Sequence, residues 1–395
     1  MKIAHLADVH LGFRQYHRLT PSGVNQREAD VAHAFRHAID GIIDAAPDLV
    51  IFAGDLFHSV RPSNPAILHS FGLLSQMRAA LPAVPFVIVA GNHDTPRSIE
   101  TGTILKLFEA VGGVHVVAEQ PRDLVFEDLD LTVSCIPHMA WVTGARPTLV
   151  PPGGSARQVL VTHGEVAGVL PRDSWALEYG GAVVEPSELH AERWDYVALG
   201  HYHVAHRIHE NAWYCGALEY VSPNPWGELI DEAREGREGE KGWLLVDLTN
   251  GIDVRLQPVP LARRLISLPA IHASGLTAAD IDAQIRKHVE AVRGGIDDQI
   301  VRQVVFELPR PVARDVDHGM IREFKTRALH FHLDTRRPET RHEVGVGAPG
   351  TRQTLTELLA DYLGRRPLDA EVDRNLLVAL GRHYLDEVEQ DLREE

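Results

Sequence analysis

The chain has 395 residues, 44% of them hydrophobic and 24% charged, so it is long enough for two or three globular domains and too apolar for a disordered protein. Its 39 Lys and Arg residues against 55 Asp and Glu residues give a formal net charge of -16, which argues against a protein that holds a polyanion through bulk positive charge. Only two cysteines are present, Cys135 and Cys215, so a disulfide framework and a thiolate metal site are excluded, whereas histidine is abundant at 23 residues.

The first residues pass directly into a strand pattern and do not resemble a signal peptide. No apolar run reaches the ~18 residues that a membrane-spanning helix needs. We therefore expect a cytoplasmic protein that makes no membrane contact.

From the N-terminus, short β-rich runs alternate with segments whose apolar residues recur at helical spacing. The predicted strands are Ile3–Ala7, Leu49–Ala53, Phe86–Ala90 and Val114–Val117. The predicted helices are a stretch with Val31, Phe35, Ala38 and Ile42 on one face, then Ala66–Met77 and Ile104–Val111. Because strands joined through helices pair in parallel and are covered by those helices, this pattern predicts a buried parallel sheet.

Later strands come with few helices between them and predict a second, more antiparallel sheet. They are Asp123–Glu127, Leu131–Cys135, Val159–Thr162, Tyr196–Leu199, Trp213–Gly216 and Trp243–Asp247. The segment Gly227–Gly242 is rich in charge and glycine, a composition that predicts a mobile loop outside the core.

Three domains are predicted, covering residues 1–262, 263–343 and 344–395, with the first boundary near Pro258–Leu261. The second is a small α/β module with predicted strands Leu265–Leu268, Ile300–Leu308 and Leu329–Leu333 and predicted helices Ala278–Val292 and His318–Thr326. Its net charge is +2, whereas the first domain carries -13.

The third domain begins with a glycine-rich linker that leads to two helical patterns. The linker glycines are Gly345, Gly347 and Gly350, and the patterns lie around Leu355, Leu358, Leu359 and Tyr362 and around Leu376, Leu377, Leu380 and Tyr384. Because two short amphipathic helices beyond a flexible linker bury little of their apolar faces by themselves, they predict a protein partner.

Five short segments share one pattern, in which a predicted strand ends and a loop with Asp, Asn or His follows. They are Asp8-Val9-His10, Gly54-Asp55 with His58, Gly91-Asn92-His93-Asp94, Thr162-His163-Gly164 and Gly200-His201-Tyr202-His203. In α/β sheets the carboxyl ends of the strands form the ligand crevice, so these loops are expected to converge. Carboxylate, imidazole and amide oxygen form the ligand set of manganese, iron or zinc in a hydrolytic site.

Seven candidate ligands are too many for one ion and fit two ions that share a carboxylate, which we predict to be Asp55. We predict one ion at Asp8, His10 and His203 and the other at Asn92, His163 and His201. His93 is predicted to donate a proton to the leaving oxygen or to stabilise charge at phosphorus, with Asp94 setting its tautomer and His58 contacting a substrate phosphate.

This ordered set of motifs resembles the calcineurin-like metallophosphoesterase superfamily. Within it, three segments are similar to the SbcD-type nucleases, the prokaryotic counterparts of the meiotic recombination eleven nuclease. They are Asp8-Val9-His10-Leu11-Gly12, Gly54-Asp55-Leu56-Phe57-His58-Ser59 with Arg61-Pro62, and Gly216-Ala217-Leu218-Glu219. The resemblance implies an α/β fold: a two-sheet α/β/β/α metallophosphoesterase sandwich with a small α/β capping domain and C-terminal helices.

The resemblance also implies two manganese ions at the seven ligands, with His93 as the catalytic histidine. The implied activity is exonuclease and single-strand endonuclease cleavage of DNA in double-strand-break repair. The implied partners are DNA, an SMC-like coiled-coil ATPase of the SbcC type and a second copy of the chain. Tyr202 stands where many family members carry an aliphatic residue, a departure expected to leave both neighbouring imidazoles free.

Two other functions remain open. A phosphodiesterase or nucleotidase that acts on small molecules would share every metal ligand, and the added capping domain and tail are what favour a polymer substrate. A non-catalytic scaffold that brings DNA ends to an ATPase is disfavoured by the complete ligand set.

Three further surface features allow two interpretations each. His33 and His37 lie four apart on a helix, but Ala34 replaces the glutamate of a zinc-protease motif, so we interpret them as a solvated face. A basic set, Arg310, Arg314, Arg322, Lys325 and Arg327, fits DNA backbone contact or an ordinary surface. Apolar stripes formed by Leu68, Phe71 and Leu74 and by Leu105, Phe108 and Val111 fit core packing or a homodimer contact.

Overall fold

The computed structural model describes residues 1–96, 102–168, 170, 180–338, 359–360, 362–363 and 373–394. Its strands are β1 (Lys2–Leu6), β2 (Leu49–Ala53), β3 (Phe86–Val89), β4 (Val114–Val117), β5 (Arg122–Phe126), β6 (Leu131–Ile136), β7 (Arg157–His163), β8 (Glu165–Val166), β9 (Val183–Val184), β10 (Tyr196–Gly200), β11 (His206–His209), β12 (Ala212–Tyr214), β13 (Gly242–Asp247), β14 (Asp253–Pro258), β15 (Leu265–Ser267), β16 (Ile271–His272), β17 (Ile300–Phe306) and β18 (His330–Thr335). Its α-helices are α1 (Gln26–Ala45), α2 (Asn64–Ala80), α3 (His138–Val142), α4 (Pro186–Leu189), α5 (Pro225–Arg234), α6 (Ala278–Glu290), α7 (Arg310–Asp315), α8 (His318–Arg327) and α9 (Arg374–Glu394), and 3-10 helices span Ile104–Val111, Glu127–Leu129 and Ala191–Arg193.

The first sheet has the strand order β14-β13-β1-β2-β3-β4. Strands β1 to β4 pair in parallel, as the alternation of strands and helices predicts. Each of these crossovers is made by a helical segment, and the apolar face of α1 is fully buried against the sheet. The predicted helix at Ile104–Val111 is a 3-10 helix with the same bounds, which begins at a Thr103 cap.

The second sheet has the order β11-β12-β10-β7-β6-β5 and corrects the prediction of a more antiparallel sheet. Its three central pairs are parallel and only its outer pairs are antiparallel, the same balance as in the first sheet. In the residues that the structure describes, the parallel crossovers from β6 to β7 and from β7 to β10 contain only short helices, so the helix count does not reveal them. The predicted strand Trp243–Asp247 is β13, which belongs to the first sheet, antiparallel to β1.

The two sheets pack face to face through β2 and β3 on one side and β7 and β10 on the other. Helices α1 and α2 cover the outer face of the first sheet, and a second apolar cluster that includes Trp141, Leu189 and Tyr202 covers the outer face of the second. The predicted two-sheet sandwich is therefore confirmed. Because both sheets are parallel at their centres, the carboxyl ends of β1, β2, β3, β7 and β10 open at one edge.

Residues 263–338 contain a separate sheet and a hydrophobic core of their own. Strand β17 pairs in parallel with β15 and β16 along one edge and with β18 along the other, and α6 and α8 pack on this sheet. The module contacts the first domain where Trp226 lies under the Arg302 guanidinium, 4.7 Å from ring centroid to Cζ. Tyr16 stacks on His330 with the ring centroids 4.0 Å apart.

The chain divides into two compact units, Met1–Pro338 and Glu339–Glu395. The second unit contains α9, where a Cβ added at Gly381 would lie 2.9 Å from Leu359, so glycine permits close packing between these segments. On this unit the side chains of Tyr362, Leu376, Leu380 and Tyr384 are exposed. The linker glycines Gly345, Gly347 and Gly350, and Leu355 and Leu358 of the first helical pattern, lie outside the described residues. No described helix combines the length and hydropathy that crossing a lipid bilayer demands.

The segment Gly227–Gly242 is not the mobile loop that its composition predicts. It contributes most of α5, and its charged residues Glu228, Glu232 and Lys241 are almost fully buried. They are buried because they pair with one another: the Lys241 ammonium contacts both glutamates.

The two apolar stripes divide between core and surface. Leu74, Leu105 and Phe108 are fully buried, whereas Leu68 is 72% exposed. Core packing therefore explains most of the stripes, and Leu68 is left on the surface of α2.

Candidate metal centre

The predicted metal-ligating residues follow the carboxyl ends of five strands and meet at one edge of the sandwich. Backbone hydrogen bonds join the first two loops, from Asp8 N–H to the Gly54 carbonyl (3.1 Å) and from His10 N–H to the Asp55 carbonyl (3.0 Å). The second sheet is connected to the first at this edge by His201 N–H, which donates to the Asp8 carboxylate at 3.0 Å. The structure brings together all seven residues: Asp8, His10, Asp55, Asn92, His163, His201 and His203.

Four of these residues have left-handed backbone conformations that side chains with a Cβ rarely adopt. Their φ angles are 51° at Asp8, 52° at His10, 53° at Asp55 and 104° at His201. Such conformations cost free energy and persist where the surrounding structure fixes them, which is typical of functional sites.

Asn92, His163 and His201 form one group of donor atoms. Asn92 Oδ1 lies 2.9 Å from His163 Nε2 and 3.2 Å from His201 Nδ1. Ligand bonds of about 2.1 Å at right angles place donor atoms about 3 Å apart, so this spacing fits one divalent ion. His163 donates from Nδ1 to the Ala53 carbonyl at 2.9 Å, which fixes its tautomer and leaves Nε2 for a metal.

Asp8, His10 and His203 form the second group, with their donor atoms within 4.8 Å of one another. All three side chains are buried. The His10 and His203 rings meet edge to face with centroids 5.1 Å apart. Carboxylate and two imidazoles are again a donor set for a divalent transition metal.

Asp55 lies between the two groups. Its Oδ2 is 3.2 Å from His163 Nε2 in the first group and 3.8 Å from His10 Nε2 in the second. Its other oxygen, Oδ1, accepts a hydrogen bond from His93 N–H at 2.8 Å, so Oδ2 is the atom that faces both groups. The groups that face this buried oxygen are these two imidazole nitrogens, an arrangement that suits a carboxylate shared by two metal ions.

Protons take part in holding the site together when no metal is bound. Burial alone would lower the pKa of His163, but the negative charges of Asp55 and Asp8 raise it to about 9. Burial alone would raise the pKa of Asp55, but the positive charge of His163 lowers it well below its usual value. Burial raises the pKa of Asp8 to about 6. Binding of a metal would therefore displace a proton from His163.

His93 and His58 lie beside this centre at the mouth of the crevice. Their rings stack with centroids 5.1 Å apart, and His93 Nδ1 donates to the His58 carbonyl at 2.7 Å. Because a carbonyl can only accept, Nδ1 carries a hydrogen, and Nε2 is the nitrogen that gains or loses a proton. The His58 ring also lies 3.3 Å from His10, measured between the Nδ1 atoms.

Asp94 does not set the tautomer of His93, contrary to the prediction. Its buried carboxylate accepts hydrogen bonds from three backbone N–H groups, those of Leu56, Phe57 and Gly91, at 3.1 to 3.2 Å. Burial and the charge of Asp55 raise the pKa of Asp94 to about 7. Asp94 therefore holds the two loops that carry Asp55 and Asn92 in place, and the His58 carbonyl orients His93.

Two residues near the centre are missing from the sequence-based prediction. His138 follows β6, and its backbone N–H donates to the Ala90 carbonyl at 3.0 Å, which joins the second sheet to the loop with Asn92. Burial, together with the positive charge of His163, lowers the pKa of His138 to about 4. Its position directly after a strand matches the pattern of the other loops. Glu228 of α5 is the second, and its Oε1 lies 3.7 Å from His203 Nδ1.

Tyr202 lies between two of the predicted ligands and is buried with its ring turned toward the second apolar cluster, 5.7 Å from the Tyr214 ring centroid. The aromatic side chain therefore leaves the crevice to its two neighbours. In the basic set of the second module, Arg327 is paired with Asp297 at 2.9 Å, while Arg310 and Arg314 line one cleft with Arg337.

The donor set and its spacing are compatible with a dinuclear metal site. Comparison with known proteins leads to the same chemistry. The model of the calcineurin-like phosphoesterase family matches residues 1–205.

Similar proteins extend the likeness beyond that range. The DNA double-strand break repair protein Mre11 of Sulfurisphaera tokodaii is 24% identical over 386 residues, which cover 95% of this chain and 92% of that protein. The protein of the same name from Sulfolobus acidocaldarius is 24% identical over 374 residues, covering 92% and 90%. That of Haloferax volcanii is 29% identical over 264 residues, covering 64% and 51%.

Proposed function

The chain belongs to the calcineurin-like phosphoesterase family and is a metal-dependent phosphodiesterase, and from this premise we propose that it is a manganese-dependent DNA nuclease of double-strand-break repair. We propose exonuclease and single-strand endonuclease activity. The relatives named for DNA double-strand break repair support this substrate, because the likeness to two of them runs through the second module and the tail.

The observation that carries the proposal is the position of Asp55 Oδ2 between two sets of donor atoms. We propose that Asp55 bridges two manganese ions, one held by Asp8, His10 and His203, the other by Asn92, His163 and His201. When bound, such a pair supplies Lewis acidity and positive charge at the scissile phosphate. The four charges of two divalent ions would also supply, at the crevice, the attraction for DNA that a chain of net charge -16 lacks.

His93 is the proposed proton donor. Its Nδ1 hydrogen is held by the His58 carbonyl, so a second proton can only reside on Nε2, which is then able to protonate the leaving oxygen. The stacked His58 ring fixes the plane of His93 and is proposed to contact a substrate phosphate. Asp94 contributes by holding the loops rather than by touching the substrate.

The remaining parts of the chain are proposed to serve a polymer substrate. We propose that residues 263–343 cap the DNA with Arg310 and Arg314, and that residues 344–395 dock on an SMC-like coiled-coil ATPase through the exposed apolar residues of the tail. Leu68 is proposed to lie in a homodimer contact. The proposed compartment is the cytoplasm.

One assay separates this proposal from its competitors. Metal-stripped protein receives manganese and is given end-labelled hairpin DNA or bis-p-nitrophenyl phosphate in parallel, with a His163→Ala variant as control. We expect cleavage of both by the parent protein, cleavage of neither by the variant, and unchanged circular dichroism.

Each other outcome has a definite meaning. Cleavage of the small ester alone would make the protein a small-molecule phosphodiesterase. Cleavage of neither substrate by the parent protein would leave a DNA-binding scaffold. Full activity of His163→Ala after metal is added back would remove that residue from the ligand set.

A further inference from the structure

The buried helix α5 places an acidic side chain behind the metal centre. Glu228 is fully buried, and its Oε1 lies 3.7 Å from His203 Nδ1 and accepts a hydrogen bond from Ser222 N–H at 2.9 Å. Its other oxygen, Oε2, is bound by the Lys241 ammonium. Glu228 therefore joins a predicted ligand to a cluster of buried charges.

We propose that Glu228 is a positioning residue for His203, which it holds in the tautomer that binds metal. The two imidazole nitrogens point in different directions, so with Nδ1 toward Glu228 it is Nε2 that can face Asp8 and His10. A neutral histidine binds metal only through the nitrogen that carries no hydrogen, and a carboxylate behind the ring keeps the hydrogen on the other nitrogen. This inference rests on the proposed metal site.

Lys241 fixes both parts of the arrangement. Its ammonium donates to the His203 carbonyl at 2.9 Å, which anchors the backbone of the ligand, and it pairs with Glu228 and with Glu232 at 3.0 Å. Glu228 lies directly against the Lys241 ammonium, so its carboxylate is the negative partner of a buried ion pair. A buried ion cluster adds little net stability, since the cost of removing charges from water offsets their attraction. Stability therefore does not explain why these charges are buried here, whereas a role in positioning His203 does.

A glutamine at position 228 would reverse the hydrogen bonding with almost no change in shape. Because the Lys241 ammonium can only donate, the amide oxygen of the glutamine would turn toward it. The amide NH2 would then take the place of Oε1, lose the hydrogen bond from Ser222 N–H, and donate to His203 Nδ1, which moves the ring hydrogen to Nε2 and blocks the ligand atom. Glu232→Gln is the matched control, because it removes the same charge from Lys241 and does not reach His203.

The test combines manganese titration of the full chain with ¹⁵N NMR of metal-free, histidine-labelled protein. For Glu228→Gln we expect one of the two manganese ions to bind 10- to 100-fold more weakly, as is typical when the partner of a ligating histidine is lost, with the other ion unaffected. We expect the His203 nitrogen signals to change to the Nε2–H tautomer. Glu232→Gln should change manganese affinity less than twofold and leave the tautomer as it is.

Two results would overturn the inference: unchanged affinity and tautomer in Glu228→Gln, or equal losses in Glu228→Gln and Glu232→Gln. A parent protein that binds fewer than two manganese ions would instead contradict the proposed function. If Glu228→Gln does not fold, Glu228→Gln with Lys241→Met removes both opposite charges together and is judged by the same titration and tautomer.

Discussion

Metal binding by this protein should depend steeply on pH, because His163 is protonated in the metal-free state. The charges of Asp55 and Asp8 outweigh burial and raise the pKa of His163 to about 9, and the extra proton resides on Nε2, since Nδ1 donates to Ala53. Proton and metal compete for the same atom, so raising the pH removes the competitor and strengthens binding until the pH passes about 9.

The magnitude follows from that pKa. Between pH 7 and pH 9 the apparent manganese affinity should rise about 50-fold, which corresponds to about 2.3 kcal/mol, because half of the His163 side chains still carry the proton at pH 9. Below about pH 6 the Asp8 carboxyl, whose pKa burial raises to about 6, adds a second proton to displace, and the dependence becomes steeper. Near pH 7 about one proton should leave His163 for each metal pair bound.

Isothermal titration with manganese under nitrogen, at several pH values and in buffers of different ionisation enthalpy, measures both quantities. The exposed pair His33 and His37, with Nε2 atoms 3.0 Å apart, could bind metal with a pH dependence of its own, so His37→Ala serves as the control. The same slope in this variant assigns the dependence to the buried centre. Constant affinity from pH 6.5 to 8.5, with no proton release, would refute the coupling of His163 to metal binding.

Three further predictions test the rest of the site and the surface. Gly54→Ala should abolish metal binding and lower the melting temperature, because the new Cβ would collide with the His163 ring. Gly144→Ala is the control: it is also at positive φ but in open space, and it should lower the free energy of unfolding by only about 1 kcal/mol, measured by thermal unfolding. His93→Ala should keep both ions, seen by metal analysis, and lose about 10²- to 10⁴-fold in turnover; loss of metal would make it a ligand instead. Leu68→Asp should convert a dimer to a monomer in light scattering with little change in stability, whereas Phe108→Asp, at a fully buried position, should unfold the chain.

Local sequence patterns predict the half of the sandwich in which helices and strands alternate, because periodicity reports which face of each element is buried. Strand β2 has the predicted bounds, and α1 buries the four residues that the spacing selects. The parallel pairing of β6, β7 and β10 could not be predicted in this way, since the helices described in their crossovers are short segments such as α3 and α4. The seven candidate metal ligands share one motif at strand ends, which is why the sequence alone could indicate them.

His138 shows how far that motif extends. It lies two residues after the end of β6, as Asp8 lies two residues after the end of β1, so the strand-end rule applied to every strand would have included it. The role of Asp94 could not be inferred by any such rule. Its carboxylate is used by three backbone N–H groups, two of them from the loop after β2, and only the fold brings these together.

The acidic composition has a structural explanation that the sequence conceals. Nine acidic side chains within residues 1–262 are buried in the part of the chain that the structure describes, against two buried basic side chains, Arg27 and Lys241. Two of the nine, Asp8 and Asp55, belong to the candidate metal centre, and others pair with Arg27 or Lys241 in the interior. The net charge counts these buried carboxylates as if they were on the surface, although a buried, paired carboxylate repels DNA far less than an exposed one. The charge of -13 on residues 1–262 therefore overstates their repulsion of a polyanion, and the proposed divalent ions at Asp8 and Asp55 would reduce that repulsion at the crevice.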